Sequence, residues 1–105
     1  MIAILSPGQG SQHEGMLKSW LDEEELISKF KTASELDILN LGTNSSTSQI
    51  KKTFIAQVLI SLVTKISFNK LFVPNNFNLN NFIFAGHSVG EVSSYHFSGI
   101  LNFND

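Results

Sequence analysis

Cysteine and arginine are both missing from this chain of 105 residues. Without cysteine there is no disulfide framework and no thiolate metal site, which fits a reducing cytoplasm. Seven lysines are scattered along the chain against nine acidic residues, and the formal net charge is -2. Because no basic stripe or polybasic cluster is present, we expect a cytoplasmic domain that binds neither nucleic acid nor a membrane surface.

Long apolar runs and an export signal are also missing. The N-terminus has no charged region before its short apolar run, which argues against a signal peptide. The longest internal apolar stretch, residues 54–63, is interrupted by Gln57 and Ser61, so no membrane span is expected. With 42% apolar and 10% aromatic residues, the chain can still bury one core. The length of the chain therefore allows at most one domain, or part of one.

The apolar pattern predicts an α/β arrangement. Residues 2–5 and 82–85 are short apolar runs that stop at glycine-containing turns, as buried parallel strands do. Apolar residues at helical spacing predict one helix that ends near Glu35 and a long, largely buried helix over residues 50–66, for which a lipid- or partner-binding groove is the alternative.

Local polar signals predict where these elements begin and end. Asp22 and Glu25 resemble a capping box, although an acidic docking patch is the alternative. Residues 44–48 and the asparagine-rich residues 74–81 are typical of loops. A last helix over residues 91–97 is predicted to end at Gly99.

The most informative motif is Gly86-His87-Ser88-Val89-Gly90, which matches G-x-S-x-G between a predicted strand and a predicted helix. Small flanking residues permit a sharp turn on which the hydroxyl of Ser88 projects as a nucleophile. A tight turn with a helix-capping serine is the alternative. An attacked carbonyl also needs two N–H donors for its developing oxyanion, one of them from Val89. Because parallel strands place their C-terminal loops on one sheet edge, the glycine-rich loop after the first strand can supply the other donor.

Two segments together resemble the malonyl-CoA:acyl carrier protein transacylase family: residues 7–12, Pro-Gly-Gln-Gly-Ser-Gln, followed by Gly15-Met16, and residues 86–91, Gly-His-Ser-Val-Gly-Glu. The resemblance covers residues 1–105 and implies the N-terminal part of an α/β-hydrolase-like acyltransferase large subdomain, a parallel sheet with flanking helices. Residues 6–12 would be the oxyanion loop and residues 86–90 the nucleophile elbow.

The resemblance also implies an activity. Ser88 would attack the thioester of malonyl-CoA, the N–H groups of Gln9 and Val89 would hold the oxyanion, and the malonyl group would pass to the phosphopantetheine thiol of acyl carrier protein in fatty acid biosynthesis. No cofactor or metal is implied. Family members also use a downstream histidine as general base and an arginine that clamps the malonyl carboxylate, and neither has a counterpart in this sequence.

The three histidines are poor substitutes for that base. His96 lies eight residues after Ser88, which is roughly 12 Å along a helix axis. The side chain of His87 should diverge from its neighbour Ser88 on a sharp turn, and His13 fits an exposed loop better. Glu91 suits the first turn of a helix electrostatically. We therefore expect this chain alone to be inactive.

Two further expectations concern the rest of the protein. Asn102 and Asp105 resemble the start of a capped helix, and two strands are too few for a sheet covered on both faces, so the sequence predicts a truncated domain. The alternative functions are a serine acyl hydrolase of related fold and a non-catalytic remnant that binds acyl carrier protein.

Overall fold

The computed structural model describes residues 2–75 and 79–99, so the predicted helix start at Asn102 lies outside the described residues. Two strands, β1 (Ile2–Ser6) and β2 (Phe82–Gly86), pair in parallel with Ile2 opposite Phe82 and Ser6 opposite Gly86. The helices are α1 (Glu24–Ser34), α2 (Ile38–Asn44), α3 (Thr47–Ile50), α4 (Thr53–Asn75) and α5 (Val89–Phe97), with short 3-10 turns at Lys18–Trp20 and Leu79–Asn81. The predicted α/β class, a parallel sheet with flanking helices, is confirmed.

The two strands are covered on one face only. The ring of Phe82 lies 5.0 Å from that of Phe72 on α4, and the ring of Phe84 lies 6.2 Å from that of Phe68. Ile83 points to the opposite face because side chains alternate along a strand, and it is 52% exposed. On β1, Leu5 is 75% exposed. The prediction of buried strands is therefore wrong for this face, since no described residue packs on it as the helices pack on the other.

The long helix is confirmed as α4, and it forms the centre of the core. It begins at Thr53 rather than at Ile50, which ends α3, and it continues to Asn75, into the segment predicted as a loop. Its fully buried residues are Ala56, Leu59, Ile60, Leu62 and Ile66. The segment Thr53–Phe72 is long and apolar enough to cross a membrane, by length and composition only. Its buried face gives the alternative explanation, since the core helix of a globular protein has the same composition.

The predicted capping box of Asp22 and Glu25 does not form. Helix α1 begins at Glu24, its N-cap is Glu23, and no side chain accepts a capping hydrogen bond there. The carboxylate of Asp22 instead accepts a 2.5 Å hydrogen bond from Lys70 on α4, and Lys70 also lies 3.3 Å from Glu23. An ion pair between distant elements has replaced the local cap.

The polar segment 44–48 is mostly helical rather than a loop. Asn44 ends α2, and Thr47 begins α3. The hydroxyl of Ser46 accepts a hydrogen bond from the N–H of Gln49, as serine does at a helix N-cap. The serines and threonines that indicated a loop therefore mark the boundary between two short helices.

Candidate active site at the strand-to-helix turn

Ser88 occupies the single sharp turn that joins β2 to α5. Its backbone has φ 57° and ψ -125°, and among the described non-glycine residues only Glu35 shares a positive φ. Such a conformation is strained for a residue with a Cβ and persists only where the surrounding structure enforces it. The residue is exposed, so its hydroxyl is accessible at the end of the sheet. The predicted strand, turn and helix are present, with α5 beginning at Val89 rather than at Glu91.

The two glycines of the motif are required by close backbone contacts. A Cβ at Gly86 would collide with the carbonyl oxygen of Gly90, one turn into the elbow. A Cβ at Gly90 would collide with the carbonyl oxygen of Ser6, at the end of β1. The first contact lets the chain reverse within the elbow, and the second lets α5 pack directly against the neighbouring strand.

The loop after β1 meets the elbow, as parallel strands predict. The N–H of His87 donates a 3.2 Å hydrogen bond to the carbonyl oxygen of Ser6, which continues the pairing beyond the end of β2. A Cβ at Gly8 would collide with the carbonyl oxygen of His87 and would lie 2.9 Å from the Cβ of Ser88. The backbone at Gly8 therefore lies against the turn that carries the serine.

Two backbone N–H groups near this contact have no acceptor among the described residues. The first turn of α5 uses the N–H groups of Gly90 and Glu91, which donate to the carbonyl oxygens of His87 and Ser88. Within residues 2–75 and 79–99, the N–H groups of Val89 and Gln9 donate to no protein acceptor. The motif predicts the N–H of Val89 as an oxyanion donor, and the family resemblance implies that of Gln9.

The glycine-rich loop is shaped by its own hydrogen bonds. The hydroxyl of Ser11 donates to the carbonyl oxygen of Gly8 at 2.8 Å, and the N–H of Gly10 donates to the side-chain oxygen of Gln12 at 2.7 Å. Gly10 has φ 110°, a conformation that favours glycine. Because the Ser11 hydroxyl holds the loop together, it differs from that of Ser88, which has no hydrogen-bond partner in the described part of the chain.

None of the three histidines is hydrogen-bonded to Ser88. A ring nitrogen of His13 bonds to the carbonyl oxygen of Glu14 at 3.2 Å, and His87 is exposed. Nε2 of His96 lies 2.7 Å from the side-chain nitrogen of Lys65 on α4, within hydrogen-bond distance. Burial lowers the pKa of Lys65, and the charge of Lys29 adds to this.

Glu91 lies exposed in the first turn of α5, the position in which a carboxylate suits the helix dipole. Among the residues that the structure describes, no three histidine, aspartate or glutamate side chains are grouped so that they could hold a metal ion.

The sequence analysis did not predict one contact next to the candidate site. Glu14, just beyond the glycine-rich loop, accepts hydrogen bonds from both the N–H and the hydroxyl of Thr47, at 2.6 and 2.5 Å. These bonds, first that of the hydroxyl, lower the pKa of Glu14 below its ordinary value. The two residues are 33 positions apart, and no local pattern pairs them.

Known proteins similar to this chain are malonyl CoA-acyl carrier protein transacylases. No protein-family model matches the chain. The malonyl CoA-acyl carrier protein transacylase of Mycobacterium tuberculosis is 41% identical over 108 aligned positions, which cover 100% of this chain and 36% of the relative. The transacylase of the same name from Bacillus subtilis is 32% identical, over 99% of this chain and 26% of the relative.

A crystal structure of MCAT from M. tuberculosis superposes with a TM-score of 0.87 and 41% identity, over 97% of this chain and 35% of that one. The chain thus spans about a third of the length of the M. tuberculosis relative. The chain is 41% identical to one of these proteins over its full length, and its described part has their fold, so it belongs to the malonyl-CoA:acyl carrier protein transacylase family.

Proposed function

We propose that this chain supplies the nucleophile and the oxyanion donors for transfer of a malonyl group from malonyl-CoA to the phosphopantetheine thiol of acyl carrier protein, in cytoplasmic fatty acid biosynthesis. Residues 1–105 would form the N-terminal part of the acyltransferase domain, with oxyanion loop 6–12 and nucleophile elbow 86–90. The observation that supports this most strongly is the exposed Ser88 on a strained turn, packed against the backbone of Gly8.

The first half-reaction would form an acyl-serine. Oγ of Ser88 attacks the thioester carbonyl carbon of malonyl-CoA, and the N–H groups of Val89 and Gln9 bind the oxygen as it becomes negative. When the intermediate collapses, the carbon–sulfur bond breaks, and coenzyme A leaves as a thiol with the proton that Ser88 gave up. Both donors are backbone groups: that of Val89 begins α5, and that of Gln9 follows Gly8, whose backbone packs on the elbow.

The second half-reaction reverses these roles. The pantetheine thiol of acyl carrier protein attacks the ester carbonyl of malonyl-Ser88, the carbon–oxygen bond to the serine breaks, and Ser88 regains a proton. The general base and the cation that binds the malonyl carboxylate are expected outside these 105 residues, because no described histidine is hydrogen-bonded to the side chain of Ser88 and the chain has no arginine. The chain alone would therefore be inactive.

A chimera offers a direct test. These 105 residues replace the matching third of the M. tuberculosis relative, and the chimera is incubated with labelled malonyl-CoA. We expect one malonyl group on Ser88, stable until pantetheine or acyl carrier protein is added. Ser88→Ala should abolish labelling, whereas Ser93→Ala, on the same helix, should retain it.

Labelling that survives Ser88→Ala would contradict the proposal. An acyl group that water removes as fast as pantetheine does would indicate a hydrolase instead.

A further inference from the structure

The loop of residues 7–15 connects β1 to the buried residues Met16 and Leu17, and it has few ties to the rest of the fold. Its own hydrogen bonds, from Ser11 and from Gly10, span two or three residues only. In the described part of the chain, the hydrogen bonds that join this loop to a sequence-distant element are those between Glu14 and Thr47. A single carboxylate therefore provides the loop's hydrogen-bonded attachment.

We propose that Glu14 is a positioning residue for the oxyanion loop, and that its two hydrogen bonds with Thr47 hold the N–H of Gln9 at the elbow. The inference rests on the proposed function in one respect, the role of that N–H in acyl transfer. The attachment itself is a property of the fold and can be measured without any activity.

The geometry explains how the contact acts on the loop. Gly8 is fixed at one end because its backbone packs on His87 and Ser88. Glu14 is fixed at the other end of the loop. Its carboxylate oxygen Oε1 accepts hydrogen bonds from both the N–H and the hydroxyl of Thr47, the first residue of α3. Only five residues lie between these two points, so loss of the second would let Gln9 move relative to the elbow.

A role in capping α3 alone does not account for the contact. Helix α3 already has its own cap, because the hydroxyl of Ser46 accepts the hydrogen bond of Gln49 N–H. The Glu14 contact adds a bond between two segments that are 33 residues apart. The contact therefore stabilises tertiary structure, because it joins two distant segments of the chain.

The contact should depend on the charge of Glu14. Thr47 offers two donors and no charge, and Lys18 is the charged side chain that also lowers the pKa of this carboxyl. The ring of the adjacent His13 bonds to the Glu14 backbone oxygen and not to the carboxylate. Because the folded pKa is depressed, the contact is intact at neutral pH and is lost as the pH falls through that folded value.

Hydrogen exchange of the 105-residue chain, followed by mass spectrometry at low micromolar concentration, tests the attachment. Glu14→Ala should speed exchange of the hydrogen-bonded loop amides, those of Gly10 and Ser11, by roughly 3- to 10-fold, the effect typical of losing a capping contact. Thr47→Ser keeps both donors and should behave as the wild type, while Thr47→Val keeps only the N–H and should be intermediate. Glu24→Gln, which alters an exposed carboxylate on α1, is the matched control and should change nothing in the loop.

Two further comparisons keep the result specific. Exchange in β1 and β2 should be unchanged by Glu14→Ala, which separates loosening of the loop from unfolding. Relative to unstructured peptides, protection of the wild-type loop should fall as the pH is lowered from 7 through the depressed pKa of Glu14, and Glu14→Gln should remove that dependence. Equal loop exchange in Glu14→Ala and the wild type, or an unchanged pH dependence in Glu14→Gln, would overturn the inference.

The chimera described above then connects the loop to the reaction. Glu14→Ala should lower the first-order rate of Ser88 acylation by a similar factor at unchanged half-saturation, and Glu14→Gln should restore part of that rate. A loosened loop with an unchanged acylation rate would refute the positioning role. If the wild-type chimera is not acylated at all, the proposed function fails, and the exchange data still decide whether Glu14 holds the loop.

Discussion

Gly8 and Ser88 pack so closely that a Cβ on the glycine would lie 2.9 Å from the Cβ of the serine and would collide with the carbonyl oxygen of His87. The first residue belongs to the loop after β1 and the second to the turn after β2. Their contact brings the glycine-rich loop and the candidate nucleophile into one site. It also makes a methyl group at position 8 a sensitive probe of that site.

Gly8→Ala should destabilise the fold by about 1–3 kcal/mol, because the added methyl group meets backbone atoms that cannot rotate away. Thermal or urea unfolding of the chain measures this. Pro7→Ala, at the adjacent exposed position, is the control and should change stability by less than about 1 kcal/mol. Equal effects at the two positions would show that the loop does not pack on the elbow as described.

The ion pair of Asp22 with Lys70 should make stability depend on acid pH. The hydrogen bond from Lys70 lowers the pKa of Asp22 below its ordinary value of 3.8. A carboxyl whose folded pKa is depressed contributes stability above its unfolded pKa and loses it as the pH falls through the folded value. The melting temperature of Asp22→Asn should therefore lie below that of the wild type at pH 5–7, and the difference should shrink below about pH 4. A difference that is constant down to pH 2 would contradict this assignment.

The isolated 105 residues should show no measurable transacylase turnover. Loss of general-base assistance alone typically costs about 10²- to 10⁴-fold in rate, and no described histidine bonds to Ser88. A malonyl carboxylate would also find no arginine to bind it in a bidentate manner. The check is a carrier-protein malonylation assay with Ser88→Ala as the background. Turnover above that background would show that this chain contains its own base.

The open face of the sheet should make the isolated chain associate and bind hydrophobic dyes. Leu5 and Ile83 are exposed on adjacent parallel strands. Contiguous apolar surface of this kind drives association. The double variant Leu5→Thr, Ile83→Thr should reduce dye fluorescence and the apparent mass in sedimentation. Leu21→Thr, which removes an exposed leucine outside the sheet, should leave both nearly unchanged.

The sequence predicted the elbow because its determinants are local. Glycines at 86 and 90 around Ser88, after an apolar run, specify a sharp turn, and the structure explains both glycines by backbone contacts that leave no room for a Cβ. The parallel pairing of β1 with β2 was also predictable. The turns that follow the two apolar runs can form one site only if they lie at the same edge of the sheet, which parallel strands provide. Helix α4 followed from its apolar spacing.

What the sequence could not predict depends on distant partners. Asp22 looked like a helix cap, but Lys70, 48 residues away, binds its carboxylate. Glu14 lay in no motif, and its partner Thr47 belonged to a segment that resembled a loop. Exposure of Leu5 and Ile83 depends on what packs against the sheet, which the apolar pattern of a strand does not specify.

A crystal structure of the chimera with malonyl bound to Ser88 would show directly whether the two backbone donors bind the acyl oxygen. We expect the ester carbonyl oxygen to lie about 3 Å from both the N–H nitrogen of Val89 and that of Gln9, with the Gly8 backbone still packed on the turn. An acyl oxygen that points to solvent or to other donors, or an acyl group on a residue other than Ser88, would contradict this expectation.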